Sequence, residues 1–260
     1  MTAPLPMTRG RRIALAVGAP LALIVIAYIA LTEVAFAGVG SYPVRLAVPV
    51  HGSTVGLSLG AADAQVTQAA GSQLRLTGTA HYSLVRSTVT WHSTASGVTV
   101  STQCHFVTGV CSFSLDAVLP AGKRANVSDG SGNLTLRGLT GPVTAGSGSG
   151  NIAGSALSGP RVTLDSGSGN IAITGLTSLD VVASSGSGDI SLTFGRIPSR
   201  VRVSASSGNV SVLLPPGRTS YHVNTSTGSG NESVGVPTNT ASTHVITVTT
   251  GSGDISIMNT

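Results

Sequence analysis

Charge is scarce in this chain. Of 260 residues, 9 % are Asp, Glu, Lys or Arg, against roughly a quarter in an ordinary soluble domain. Aromatic residues make up 3 %, with a single tryptophan, Trp91, and Lys123 is the one lysine beside thirteen arginines. Cofactor enzymes and helical bundles fit poorly, because they need large apolar side chains and surfaces rich in Glu, Lys and Arg. No cofactor is expected. A disordered chain fits no better: 41 % of the residues are apolar, whereas disorder needs low hydrophobicity and high charge. The net charge of +5 is too modest to mark a nucleic-acid partner. What is plentiful is glycine, 34 residues, together with Ala, Ser and Thr.

One long apolar run exists. Arg9, Arg11 and Arg12 precede an uncharged stretch over residues 13–32. Twenty residues at about 1.5 Å each span about 30 Å, the hydrocarbon thickness of a bilayer. Arginines on its N-terminal side place residues 1–12 in the cytoplasm and the remainder outside. The lipid bilayer is thus the first expected partner. A cleavable signal peptide is the alternative, since Ala35-Phe36-Ala37 is an A-x-A pattern. Both readings export the rest. The two cysteines agree: Cys104 and Cys111 are separated by six residues, a spacing suited to a small disulfide-closed loop in an oxidising compartment. A metal site with His105 would fall short of the four ligands of structural zinc.

Beyond this segment the chain repeats. Gly-Ser-Gly-Asn/Asp recurs, with its closing residue at Asn133, Asn151, Asn170, Asp189, Asn231 and Asp254, and Ser-Ser-Gly ends at Asn209. Successive gaps are 18, 19, 19, 20, 22 and 23 residues. Apolar residues keep register with that closing residue. Eight positions before it stand Val143, Val162, Val181, Val201, Val223 and Ile246; one position after it stand Leu134, Ile152, Ile171, Ile190, Val210 and Ile255. Alternation at i and i+2 marks strands with one buried face. Each repeat therefore reads as two short strands joined at a tight glycine corner, with all length variation in the opposite loop. A β-solenoid of stacked two-strand coils behaves this way; an up-and-down meander of hairpins is the alternative. Glu232 breaks the pattern in a slot that is apolar in the other six copies, which implies a bulge or an exposed coil.

The Leu-Pro-x-Gly loops at Leu119–Gly122 and Leu214–Gly217, with the Gly-Ser-Gly-Asn/Asp corners, resemble the bacterial putative-adhesin β-strand-repeat domain family. The resemblance covers residues 100–260 well and 41–100 weakly. It implies an exported or membrane-anchored solenoid with no catalytic residues to carry over. The organisation expected is a cytoplasmic arm (1–12), a transmembrane helix (13–32), a linker (33–40), a degenerate β region capping the stack (41–118) and the solenoid repeats (119–260).

The chemistry-bearing residues are few. The glycine corners lack the Lys-Ser/Thr of a phosphate loop and a following helix. Calcium rolls use nonapeptides with an aspartate per turn, whereas only Asp189 and Asp254 are acidic corners here. A polysaccharide-active enzyme would need two carboxylates within about 5–10 Å, and Asp165 and Asp180 fall in different columns of the repeat. The histidines show no metal spacing. Arg161, Arg200 and Arg202 are the candidates for contact with an anionic ligand, such as a cell-wall polymer. The function expected is a non-enzymatic, adhesin-like envelope scaffold. A docking or sensor subunit for another membrane protein is the alternative, and the last coil is expected to offer an open edge.

Overall fold

The computed structural model describes residues 20–30, 39–105 and 110–260. Residues 20–30 are helical and exposed throughout; the described residues from 39 onward are β-structure and loops. The N-terminal third supplies β1 (Val39–Pro49), β2 (Thr54–Leu59), β3 (Ala62–Ala69), β4 (Gln73–Ser83), β5 (Thr88–Thr94), β6 (Gly97–Gln103) and β7 (Cys111–Pro120). The repeats then contribute strand pairs. They are β8 (Arg124–Asp129) with β9 (Leu134–Arg137), β10 (Val143–Ser147) with β11 (Ile152–Ser155), and β12 (Arg161–Ser166) with β13 (Ile171–Leu176). Next come β14 (Asp180–Ser185) with β15 (Ile190–Phe194), and β16 (Arg200–Ser207) with β17 (Val210–Leu214). The last pairs are β18 (His222–Ser229) with β19 (Glu232–Val234), and β20 (Val245–Ser252) with β21 (Ile255–Asn259).

The first strand of each repeat joins one sheet and the second joins the other. All pairings between repeats are parallel, so the meander is excluded. The first sheet runs β1-β4-β7-β3-β9-β11-β13-β15-β17-β21-β19, and the second runs β18-β20-β16-β14-β12-β10-β8-β2-β6-β5. Nine coils are stacked among the described residues, about 40 Å at roughly 4.8 Å per coil. The apolar columns become two inward rows. In the second sheet Val98, Val55, Ala125, Val143, Val162, Val181, Val201, Ile246 and Val223 stand in register. Their exposed neighbours alternate outward, as in the burial pattern of β8. Gly154 stands in register between Leu136 and Ile173 and leaves room that Ile173 Cδ1 fills; a Cβ there would stand 2.9 Å from that atom.

The order of coils in space differs from their order in the chain at both ends. Near the start, the coil of β2 and β3 lies between that of β6 and β7 and that of β8 and β9. Residues 54–69 and 97–120 are thus coils of the stack itself, and the capping role falls to antiparallel strands β1, β4 and β5. At the other end, β20 and β21 insert between the coil of β16 and β17 and that of β18 and β19. The expectation that the last coil forms the open edge is therefore corrected: residues 222–234 form it. Glu232 explains the choice. It is exposed in the outermost coil, where a carboxylate need not be buried. Its carboxylate accepts hydrogen bonds from the Thr225 hydroxyl and the Thr227 N–H. An inward charge on an edge strand also discourages further pairing.

Among the described residues no helix is long and apolar enough to cross a membrane. The helix over 20–30 covers about 16 Å at 1.5 Å per residue; residues 13–19 and 31–32 of the expected span lie outside the described residues, as do Arg9, Arg11, Arg12 and Ala35–Ala37.

Candidate functional site

The glycine corners run as one edge along the stack, and two side-chain ladders hold it. The outer ladder is the asparagine/aspartate column. Asn133 Oδ1 accepts the Asn151 N–H (3.0 Å), Asn151 Oδ1 that of Asn170 (2.8 Å), and Asn170 Oδ1 that of Asp189 (2.8 Å). Asp189 Oδ1 accepts the Asn209 N–H (2.7 Å), Asn209 Oδ1 that of Asp254 (2.9 Å), and Asp254 Oδ1 that of Asn231 (2.8 Å). The last two links follow the interleaved spatial order, not the chain. Asp63 heads the ladder, its Oδ1 accepting the N–H of Asn133 at 2.9 Å. Every Oδ1 of the ladder but that of Asn231, at its outer end, is thus bonded to a backbone N–H of the next coil. Among the described residues no cluster of three or more His, Cys, Asp or Glu could hold a metal ion.

The inner ladder escapes a reading of the apolar columns. Four positions before each closing residue stand Asp129, Ser147, Ser166, Ser185, Ala205, Thr227 and Thr250. Buried Ser147 donates its hydroxyl to Gly132 O of the preceding coil (3.0 Å) and accepts the Gly150 N–H of its own corner (2.9 Å). Ser166 and Ser185 repeat both bonds. Thr250 and Thr227 make the first bond, to Gly208 O and Gly253 O. The signal was a hydroxyl recurring at a fixed offset inside a strand, where composition full of Ser and Thr hid it.

Replacing one link of the outer ladder has a small, graded effect. Asn151→Ala removes an acceptor from an exposed N–H and lowers stability by about 0.5–1.5 kcal/mol. Asn151→Asp keeps the acceptor and, lying between two asparagines, costs less than half of that. Urea denaturation of the two variants checks the order.

Asp129 occupies the inner ladder where the first repeat meets the inserted coil. Its carboxylate accepts the Ala62 N–H at 3.2 Å and also that of Gly132. Burial raises its pKa above the ordinary 3.8, against backbone hydrogen bonds from Gly132, Ala62 and Gly130 that lower it, and Asp63 adds to the rise. A raised folded-state pKa means that the site's contribution to stability is present below the unfolded value. It is lost as pH rises through the folded value. Between about pH 3 and about pH 7, wild type therefore loses stability relative to Asp129→Asn. Urea midpoints of both proteins at the two pH values check the sign.

The expected disulfide is present between Cys104 and Cys111, closing the corner between β6 and β7. The arginines lie on the outer face of the second sheet. Arg161, Asp180 and Arg200 stand in one row of adjacent coils, with Arg124 two coils before Arg161. Arg202 is two residues along β16, beside Val182 and Thr247. Arg161 pairs with Asp180 at 2.6 Å, with the arginine side chain 63 % exposed; an ion pair so open contributes little to stability. All four arginines are exposed. Asp165 pairs with Ser184, four residues from Asp180 on β14, which sets the two carboxylates roughly 13 Å apart. That exceeds the separation used in glycoside hydrolysis.

A family model described as Toastrack DUF4097 matches residues 119–258. No curated protein matches the chain. Among solved structures, a "putative cell adhesion protein" from Clostridium sporogenes is 14 % identical, with a TM-score of 0.38, covering 84 % of this chain and 100 % of its own. A "putative adhesin" from Bacteroides fragilis is 12 % identical, with a TM-score of 0.42, covering 84 % and 97 %.

Proposed function

The chain belongs to the Toastrack DUF4097 family, and from that premise we propose that it is a non-enzymatic, adhesin-like scaffold at the outer face of the cell membrane. It is held by the apolar segment over 13–32 and presents the second sheet to anionic wall polymers. The observation that carries this reading is the row of exposed arginines. Arg124, Arg161 and Arg200 recur every second coil, about 10 Å apart, and Arg202 extends the patch sideways. Asp180 neutralises one charge and orients Arg161. Rows spaced by the coil repeat suit a linear polyanion lying along the stack, where successive phosphates or carboxylates meet successive guanidinium groups.

The anchor is supported by the helix over 20–30. Leu21, Leu23, Ile24, Val25, Ile26, Tyr28 and Ile29 are each at least half exposed. A helix apolar on every side is at home in protein interior or in lipid.

Among the described residues every buried core residue lies between Val44 and Ile257, so purified residues 39–260 retain the whole stack. Co-sedimentation of this fragment with isolated cell-wall sacculi tests the proposal. Binding is expected at low ionic strength and falls steeply as salt approaches about 0.5 M, because exposed charges are screened. Absence of binding at low salt would overturn the wall-polymer reading.

A further inference from the structure

Outside the helix over 20–30, the exposed large apolar side chains among the described residues are Val39, Leu84, Val85, Trp91, Leu179 and Val234. Four of the six stand at one end of the stack, the end built from edge strands β1 and β5. Val39 opens β1 and pairs with Ser83, so it adjoins Leu84 and Val85. Trp91 lies on β5, on the same side of that strand as Val89, which packs against the core.

The turn after Ser83 is built in a costly way. Leu84 has φ +60°, a left-handed conformation rare for a bulky residue and unfavourable by roughly 1 kcal/mol or more. The surroundings hold it there. The Val85 N–H donates to Ser83 O at 2.6 Å, the Tyr42 hydroxyl donates to Ser87 O at 2.8 Å, and the Arg86 guanidinium lies 4.1 Å from the Tyr42 ring centre. The result is two adjacent apolar side chains, Leu84 and Val85, each about half exposed. A turn that only had to reverse the chain in water would take Gly or Asn. Charge at this end is mainly positive: Arg45, Arg75 and Arg86 are exposed, and the acids nearest them are Asp116, two strands from Arg45 in one row, and Asp63 on β3.

We infer that this end of the stack rests on the bilayer surface. Leu84, Val85 and Trp91 enter the headgroup region, and Arg45, Arg75 and Arg86 face anionic lipid phosphates. The inference rests on the anchoring proposed above, and the chain supplies the continuity. Eight residues separate the helix over 20–30 from Val39, a reach of at most roughly 30 Å, and Val39 is itself part of the patch. Tryptophan and arginine beside a membrane-bound segment are the side chains that favour the interface. The consequence is geometric: the stack stands with its axis away from the membrane, the Glu232 end outermost and the arginine row rising toward the wall.

Trp91 is the only tryptophan, so it reports on this directly. The full chain is reconstituted into phosphatidylcholine–phosphatidylglycerol vesicles, with and without brominated acyl chains, and floated on a density gradient. The protein is expected to float, with Trp91 emission quenched by the brominated lipid and shifted to shorter wavelength. The full-chain double variant Leu84→Ser, Val85→Ser floats equally but shows weaker quenching. Flotation without quenching in wild type overturns the inference while leaving the anchor intact, and turns the patch toward a protein partner. Undiminished quenching in the variant overturns the role given to the turn. A chain that does not float overturns both the anchor and the inference.

Discussion

Gly150→Ala unfolds the stack or destabilises it by more than about 4 kcal/mol, a loss reserved for a few severe mechanisms. Gly146→Ala, four residues earlier in the same coil, stabilises it by about 0.5 kcal/mol. The contrast is one of neighbours. A Cβ on Gly150 would stand 1.8 Å from Gly132 O and 2.5 Å from Gly132 C, both backbone atoms of the preceding coil. That coil cannot retreat, because Ser147 and Asn133 bond the two corners together. A Cβ on Gly146 meets only Asp165 O at 3.7 Å, an ordinary contact. The same collision repeats up the edge, with Gly169 over Gly150 and Gly188 over Gly169, each 2.1 Å from the carbonyl oxygen below. The second glycine of each corner is therefore dictated by stacking distance. Guanidinium unfolding of the paired variants measures it.

Leu164→Ala is expected to cost about 3–5 kcal/mol, the upper part of the range for leucine truncation. Leu164 is fully buried, and its in-register neighbours on either side are Ala145 and Ala183. Alanines cannot relax into the space that the leucine leaves, so the cavity stays open. A truncation at the end of the stack behaves differently. Val223 is only partly buried and packs against the core from the outermost coil, so Val223→Ala should cost less than half as much. Thermal or denaturant unfolding of both proteins tests this gradient from centre to end.

Much of this architecture is legible in the sequence, for a physical reason. The corner imposes Gly at a backbone contact and Asn or Asp at an acceptor for the next coil, and both recur at each level. The apolar columns follow because each coil places the same positions on the same rows. Three features are hidden. The coils at 54–69 and 97–120 lack the full glycine corner: Gly60 and Asp63 alone are kept in one, with Ala62 in the second glycine slot, and the Cys104–Cys111 disulfide links the two strands of the other. The serine column hides among abundant hydroxyl residues. The interleaved order at the two ends is hidden because every corner fits every other, so the repeat carries no label for sequence of stacking. Glu232 is the one residue that betrays it, being tolerable only in an outermost coil.

The row of arginines on the second sheet is the central functional feature, and charge-matched variants test it most directly. Arg161, Arg200 and Arg202 are replaced by Gln in one protein, and Arg45, Arg75 and Arg137, on the outer face of the first sheet, in another. Both lose three positive charges and no buried contact. Sedimentation with sacculi is then compared at low salt, with stability checked by unfolding. Loss of binding in the first protein and near-wild-type binding in the second is the expected result. Equal weakening in both would contradict a face-specific site and reduce the attraction to net charge alone.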